Sequence, residues 1–224
     1  MTPPSRTTGL VGLLSFGLIG IASFIAPPLW EAKGTDSTGG AVVALVRGNS
    51  TRVTVSLFVY SLAIGLFLCF VAGLWNWFRE HDDLSQVLPS IFALAGTALS
   101  VLILAGFVPI GVLGYRSEPA SIASLLGDLT FGLLALSGIP TAACMSAYAV
   151  LVMRSGALPK WTAYLAAISS VAHVLIAASF LSHGSFLSLE SKVIVWVPAT
   201  FFLWIFATSA VVCFGRPMKG QPGS

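Results

Sequence analysis

Residues 53–78 read VTVSLFVYSLAIGLFLCFVAGLWNWF, an uncharged run bounded by Arg52 and Arg79. A hydrocarbon core about 30 Å thick needs about 20 apolar residues rising about 1.5 Å each. The stretch is therefore long enough to be a membrane-spanning helix. Membrane strands are disfavoured, because barrel strands are alternating segments of about 10 residues.

Working outward from this run, five further intervals between charged residues are long enough to span. They are Arg6 to Glu31, Asp83 to Arg116, Asp128 to Arg154, Lys160 to Glu190 and Lys192 to Arg216. The fold expected is all-α, a polytopic bundle of six transmembrane helices forming a single domain over 1–224. The helices are placed at about 8–30, 53–78, 87–114, 124–153, 161–182 and 192–214. Residues 31–52 make the largest loop, with a short interfacial helix expected over 41–47 before Gly48. Residues 215–224 read as a short Gly/Pro-rich tail.

Composition leads to the same class. Hydrophobic residues make up 56% and charged residues 8%, where a soluble domain carries about 25% charged. A net charge of +3 forms no basic stripe, so no nucleic-acid partner is expected. Membrane lipids are the expected surroundings. The first apolar run, after Arg6, reads as a retained anchor and not a signal peptide. It is long for an h-region, and no A-x-A site follows it.

Basic residues give the orientation. With a cytoplasmic N-terminus the inside segments hold Arg6, Arg79, Arg154, Lys160, Arg216 and Lys219, and the outside holds Lys33, Arg47, Arg52, Arg116 and Lys192. The densest basic spots, Arg154–Lys160 and Arg216–Lys219, are then both inside. Six helices return the C-terminus to the same side, and the 31–52 loop is extracytoplasmic.

Few side chains are candidates for chemistry. Asp128 is an acidic group near a helix interior, where ionisable residues are costly and usually functional. Its structural reading is an interfacial carboxylate at the positive end of a helix. His173 falls near mid-membrane, on one stripe with Thr162, Ala166, Ser169, Ser170 and Ala177. Small and hydroxyl residues on one face let membrane helices pack closely. His173 is thus either a neutral histidine bonded to a carbonyl or serine, or a proton-relay or ligand-binding group. Pro140 lies inside the fourth interval and predicts a kink, with Ser137 and Thr141 able to satisfy the freed backbone groups. Pro109 reads in the same way. Asp128, His173, Ser169, Ser170 and Pro140 together form the candidate ligand or proton pathway; no catalytic residue is assigned.

Arg79-Glu80-His81-Asp82-Asp83 gathers possible ligands but reads as a solvated loop, so no metal site is expected. Cys69, Cys144 and Cys213 lie inside apolar runs without a C-x-x-C pair, and one mid-membrane histidine makes no bis-histidine haem site. No cofactor is expected.

The most distinctive stretch is Leu151-Val152-Met153-Arg154-Ser155-Gly156-Ala157-Leu158-Pro159-Lys160-Trp161. It is a tight helical hairpin in which Gly156 caps one helix, Pro159 opens the next and Trp161 anchors it at the interface. With Pro140 upstream and Leu203-Trp204-Ile205-Phe206-Ala207-Thr208-Ser209 downstream, it resembles a bacterial family of multi-pass membrane proteins labelled domain of unknown function 4386. That resemblance implies the architecture and a bacterial cell-membrane location, and no mechanism.

Three functions compete on this reading. The first is a non-enzymatic accessory or assembly subunit packing against other membrane protein subunits. The second is a small-solute or proton-coupled permease using Asp128, His173 and the Pro140 kink. The third is an intramembrane lipid-modifying enzyme.

Overall fold

A computed structural model describes residues 5–26, 44, 46–81, 86–116, 119–181 and 196–215. The described residues contain helices and no strand, in an all-α architecture. The helices are α1 (Arg6–Ile25), α2 (Ser50–His81), α3 (Val87–Tyr115), α4 (Ala120–Leu136), α5 (Gly138–Ser155), α6 (Lys160–Ala178) and α7 (Pro198–Phe214). A single 3₁₀ turn, Ser179–Leu181, follows α6.

Five stretches are long and apolar enough to cross a membrane: α1, α2, α3, α4 with α5, and α6. The described part of α7 is a shorter apolar helix. Of the first and last expected spans, residues 27–30 and 192–195 lie outside the described residues, as does residue 182 of the fifth. So do 31–43, 45, 82–85 and 216–224, and with them most of the expected loop and tail.

Local signals explain the boundaries. Ser5 caps α1, its hydroxyl accepting from the Thr8 amide at 3.3 Å. Gly156 closes α5 at φ 60°, the left-handed conformation that glycine adopts without a Cβ penalty. Pro159 then precedes α6, and Pro198 begins α7, where its missing N–H costs no bond.

The fourth expected span is two consecutive helices, because Ser137 interrupts it. Pro140 thereby falls in the first turn of α5. Ser137 keeps helical angles (φ −60°, ψ −16°), and the amides of Ser137 and Thr141 still donate to the Leu133 and Ser137 carbonyls at 3.1 and 3.0 Å, so the interruption does not unwind the chain. By contrast α3 runs through Pro109 uninterrupted.

Two local expectations need correction. Arg79 to His81 is not a loop: α2 continues to His81, with the Arg79 guanidinium 4.8 Å from the Trp75 ring centre and Asn76 donating to Glu80 at 2.9 Å. Gly48 does not break the helix: it is itself helical, with Val46 and Arg47 before it, and the turn falls at Asn49.

The helices close a ring in the order α1, α2, α3, α5, α6, α7 and back to α1, while α4 lies outside it along α3. Aromatic side chains fill the centre. Phe78, Phe92 and Tyr148 meet one another at 5.8–6.1 Å between ring centres. Tyr148 continues to Trp204 at 4.9 Å, Trp204 to Phe201 at 5.8 Å and Phe201 to Phe67 at 5.3 Å. All six are buried, and edge or offset contacts of this kind add about 0.5–1.5 kcal/mol each beyond their area.

Candidate functional site

Buried polar groups tie α1 to α2, where Ser15 donates to the Ala63 carbonyl and Ser56 to the Ala22 carbonyl, each at 2.8 Å, and a second set lies along the seam between α5, α6 and α7. Nearest the Arg154–Lys160 turn, the Tyr148 phenol donates to Thr162 Oγ1 at 3.0 Å, and Thr162 donates to the Pro159 carbonyl at 2.9 Å. The phenol proton is thus committed, so the Thr208 hydroxyl donates to the Tyr148 oxygen across 3.2 Å. Three helices are tied by one tyrosine.

One step along the seam, Ser170 donates to the Ala142 carbonyl at 3.0 Å and accepts from Ser146 at 2.8 Å. Next comes His173. Its Nδ1 lies 2.8 Å from the Ser169 carbonyl oxygen, so Nδ1 carries a proton and donates there. Among the described residues Nε2 has no hydrogen-bond partner. The ring stands edge-on to Phe201, with centres 5.9 Å apart. Thr200 of α7 reaches the Ser169 hydroxyl at 3.4 Å while bonding its own Val197 carbonyl at 2.8 Å.

The interruption in the fourth span meets this point. A Cβ on Gly138 would collide with the His173 carbonyl oxygen, so α5 begins in backbone contact with α6. Ser137 donates to the Leu134 carbonyl at 2.6 Å and Thr141 to the Ser137 carbonyl at 2.7 Å. Pro140 itself is partly exposed.

The five candidates do not form one site. His173, Ser169 and Ser170 are together on the buried face of α6, with Pro140 one turn from them across the interface. Asp128 stands apart, exposed on α4 and two turns from its start at Ala120. Among the described residues it makes no hydrogen bond or ion pair.

This geometry limits the chemistry. A serine–histidine nucleophile pair needs a basic ring nitrogen facing the hydroxyl. The Ser169 hydroxyl lies 3.4 Å from Nδ1, the nitrogen already donating to a carbonyl. A partly open pocket between α2, α3 and α4, lined by Tyr60, Phe107, Thr130 and Phe131 among others, measures about 20 Å³, room for about one water.

Tyr148, Thr208, Thr200 and Ser146 were not among the candidates from sequence. Tyr148 carries a signal, since a tyrosine inside an apolar span brings a hydroxyl that needs a partner. Trp204 likewise belongs to the core and not to a belt, being fully buried.

No family model, curated protein or solved structure matches the chain.

Proposed function

We propose that the chain is a non-enzymatic accessory or assembly subunit that packs against other membrane proteins. The observation carrying this reading is the filled interior. Aromatic rings occupy the centre of the ring of helices, and the hydroxyls of Tyr148, Thr162, Ser146 and Ser170 are spent on one another and on backbone carbonyls. The outer surface also suits helix contact. Gly17 and Gly65 face open space, with nothing within 4 Å of where a Cβ would stand. The location belonging to this reading is a bacterial cell membrane with both termini cytoplasmic, as the likeness of residues 151–161 to domain of unknown function 4386 and the basic turns imply. Extraction of the tagged chain from its native membrane under mild conditions tests it. A stoichiometric partner is expected; a chain that is monomeric and solitary contradicts it.

A permease remains the second reading, favoured by one observation: the Ser137 interruption abuts buried His173, whose Nε2 has no hydrogen-bond partner among the described residues. Substrate and ion sites of transporters lie at such discontinuous helices. In that case His173→Ala abolishes a transport or resistance phenotype at unchanged expression, and Asp128→Asn tests the outer carboxylate. Loss of neither phenotype removes this reading.

A further inference from the structure

The exposed side of α4 presents Ile122, Leu125, Leu129 and Leu136, with the Asp128 carboxylate among them. Its depth follows from packing register. Gly106 of α3 faces Leu133 and Leu134, and Leu113 shares a cluster with Ala123, so α4 runs antiparallel to α3. Asp128 lies between those contacts, level with Ile110 and therefore roughly 9 Å deeper than Arg116 at about 1.5 Å per residue. On α2, Thr54 lies 3.6 Å from Gly114 and Leu57 lies 3.8 Å from Gly111, each measured from a Cβ placed on the glycine. The Ile110 level therefore meets α2 at Phe58, roughly 9 Å inside Arg52 as well. Headgroup layers are about 5–7 Å thick on each side. If Arg52 and Arg116 mark the membrane surface, Asp128 stands just inside the hydrocarbon.

The short Asp128 side chain leaves its charge at the inner edge of the headgroup layer, where the long stem of a lysine or arginine on a neighbouring helix can bring a cation to it. Two copies meeting through this face would oppose two carboxylates. We infer that the exposed face of α4 docks a transmembrane helix of another protein that carries a lysine or arginine at the depth of Asp128. The inference rests on the subunit reading and names where the partner sits.

The probe is a synthetic Leu/Ala transmembrane peptide carrying one lysine about 12 Å from its end, compared with the same peptide carrying glutamine. Binding is read by energy transfer to the purified full chain in phosphatidylcholine vesicles. The lysine peptide is expected to bind about tenfold tighter to the wild type, and Asp128→Asn to erase the preference. Leu129→Cys, which leaves the carboxylate in place, is expected to form a disulfide with a cysteine one turn from the peptide lysine. Equal binding of the two peptides, or a preference that survives Asp128→Asn, overturns the inference. So does loss of the preference on adding phosphatidylethanolamine, which assigns the carboxylate to a lipid ammonium, or an α4–α4 cross-link through Leu125→Cys, which assigns the face to a second copy. If the native complex forms while the peptides bind equally, the docking face falls and the subunit reading stands. A solitary chain in native membranes ends the subunit reading whatever the peptides do.

Discussion

Replacing Gly138 by alanine should oppose replacing Gly17 by alanine, although both are glycine-to-alanine changes inside apolar helices. At Gly17 nothing lies within 4 Å of the new methyl, so the change brings only the higher helix propensity of alanine, at most about 1 kcal/mol of stabilisation. At Gly138 the methyl meets the His173 carbonyl oxygen, with the Ala177 amide nitrogen 3.3 Å away. Both obstacles are backbone, so no rotamer change relieves the overlap, and α5 must move off α6. Overpacking of this kind costs typically about 1–3 kcal/mol. After the propensity gain, Gly138→Ala is expected to lose up to about 2 kcal/mol and to differ from Gly17→Ala by about 1–3 kcal/mol. Reversible unfolding of the purified chain in mixed micelles reads the difference. Equal shifts of the same sign in the two variants would refute the close α5–α6 contact.

Tyr148→Phe removes two interhelical hydrogen bonds and is expected to cost about 1–2 kcal/mol; membrane hydrogen bonds average about 0.6 kcal/mol each. A double-mutant cycle with Thr208→Val should show positive coupling, and strict additivity would contradict the bond. Trp204→Ala empties the centre of the aromatic cluster and is expected to cost about 3–5 kcal/mol in the same unfolding assay. Cys69 is exposed and Cys144 and Cys213 are buried, so a lipid-soluble maleimide should label Cys69 alone in the folded chain. Labelling of Cys144 at a comparable rate would contradict its placement.

The charge intervals made the helical class legible because a lipid core forbids charges over a fixed length, and that constraint acts directly on sequence. The interruption near Pro140 and the glycine cap at Gly156 were legible because the backbone limits of proline and glycine are local. Residues 162, 169, 170 and 173 were legible as a face because hydroxyl groups at helical spacing stand out in an apolar run. Their partners were not. Tyr148 and Thr208 lie 60 residues apart, and pairing at that distance depends on which helices become neighbours, which no local pattern encodes. Asp128 shows the same limit, since its helix begins at Ala120, two turns earlier, and it faces outward away from His173. Only the order of helices around the ring decides that.

Water access to the seam tests the central claim most directly. Ser170→Cys and Thr208→Cys place thiols in the interior, and Ser121→Cys places one on the exposed first turn of α4. In intact membranes a charged methanethiosulfonate reagent should modify the cysteine at 121 and leave those at 170 and 208 unreacted. Rapid modification at both interior positions would reveal an aqueous path between α5, α6 and α7, and would contradict a filled bundle whose function lies on its outer surface.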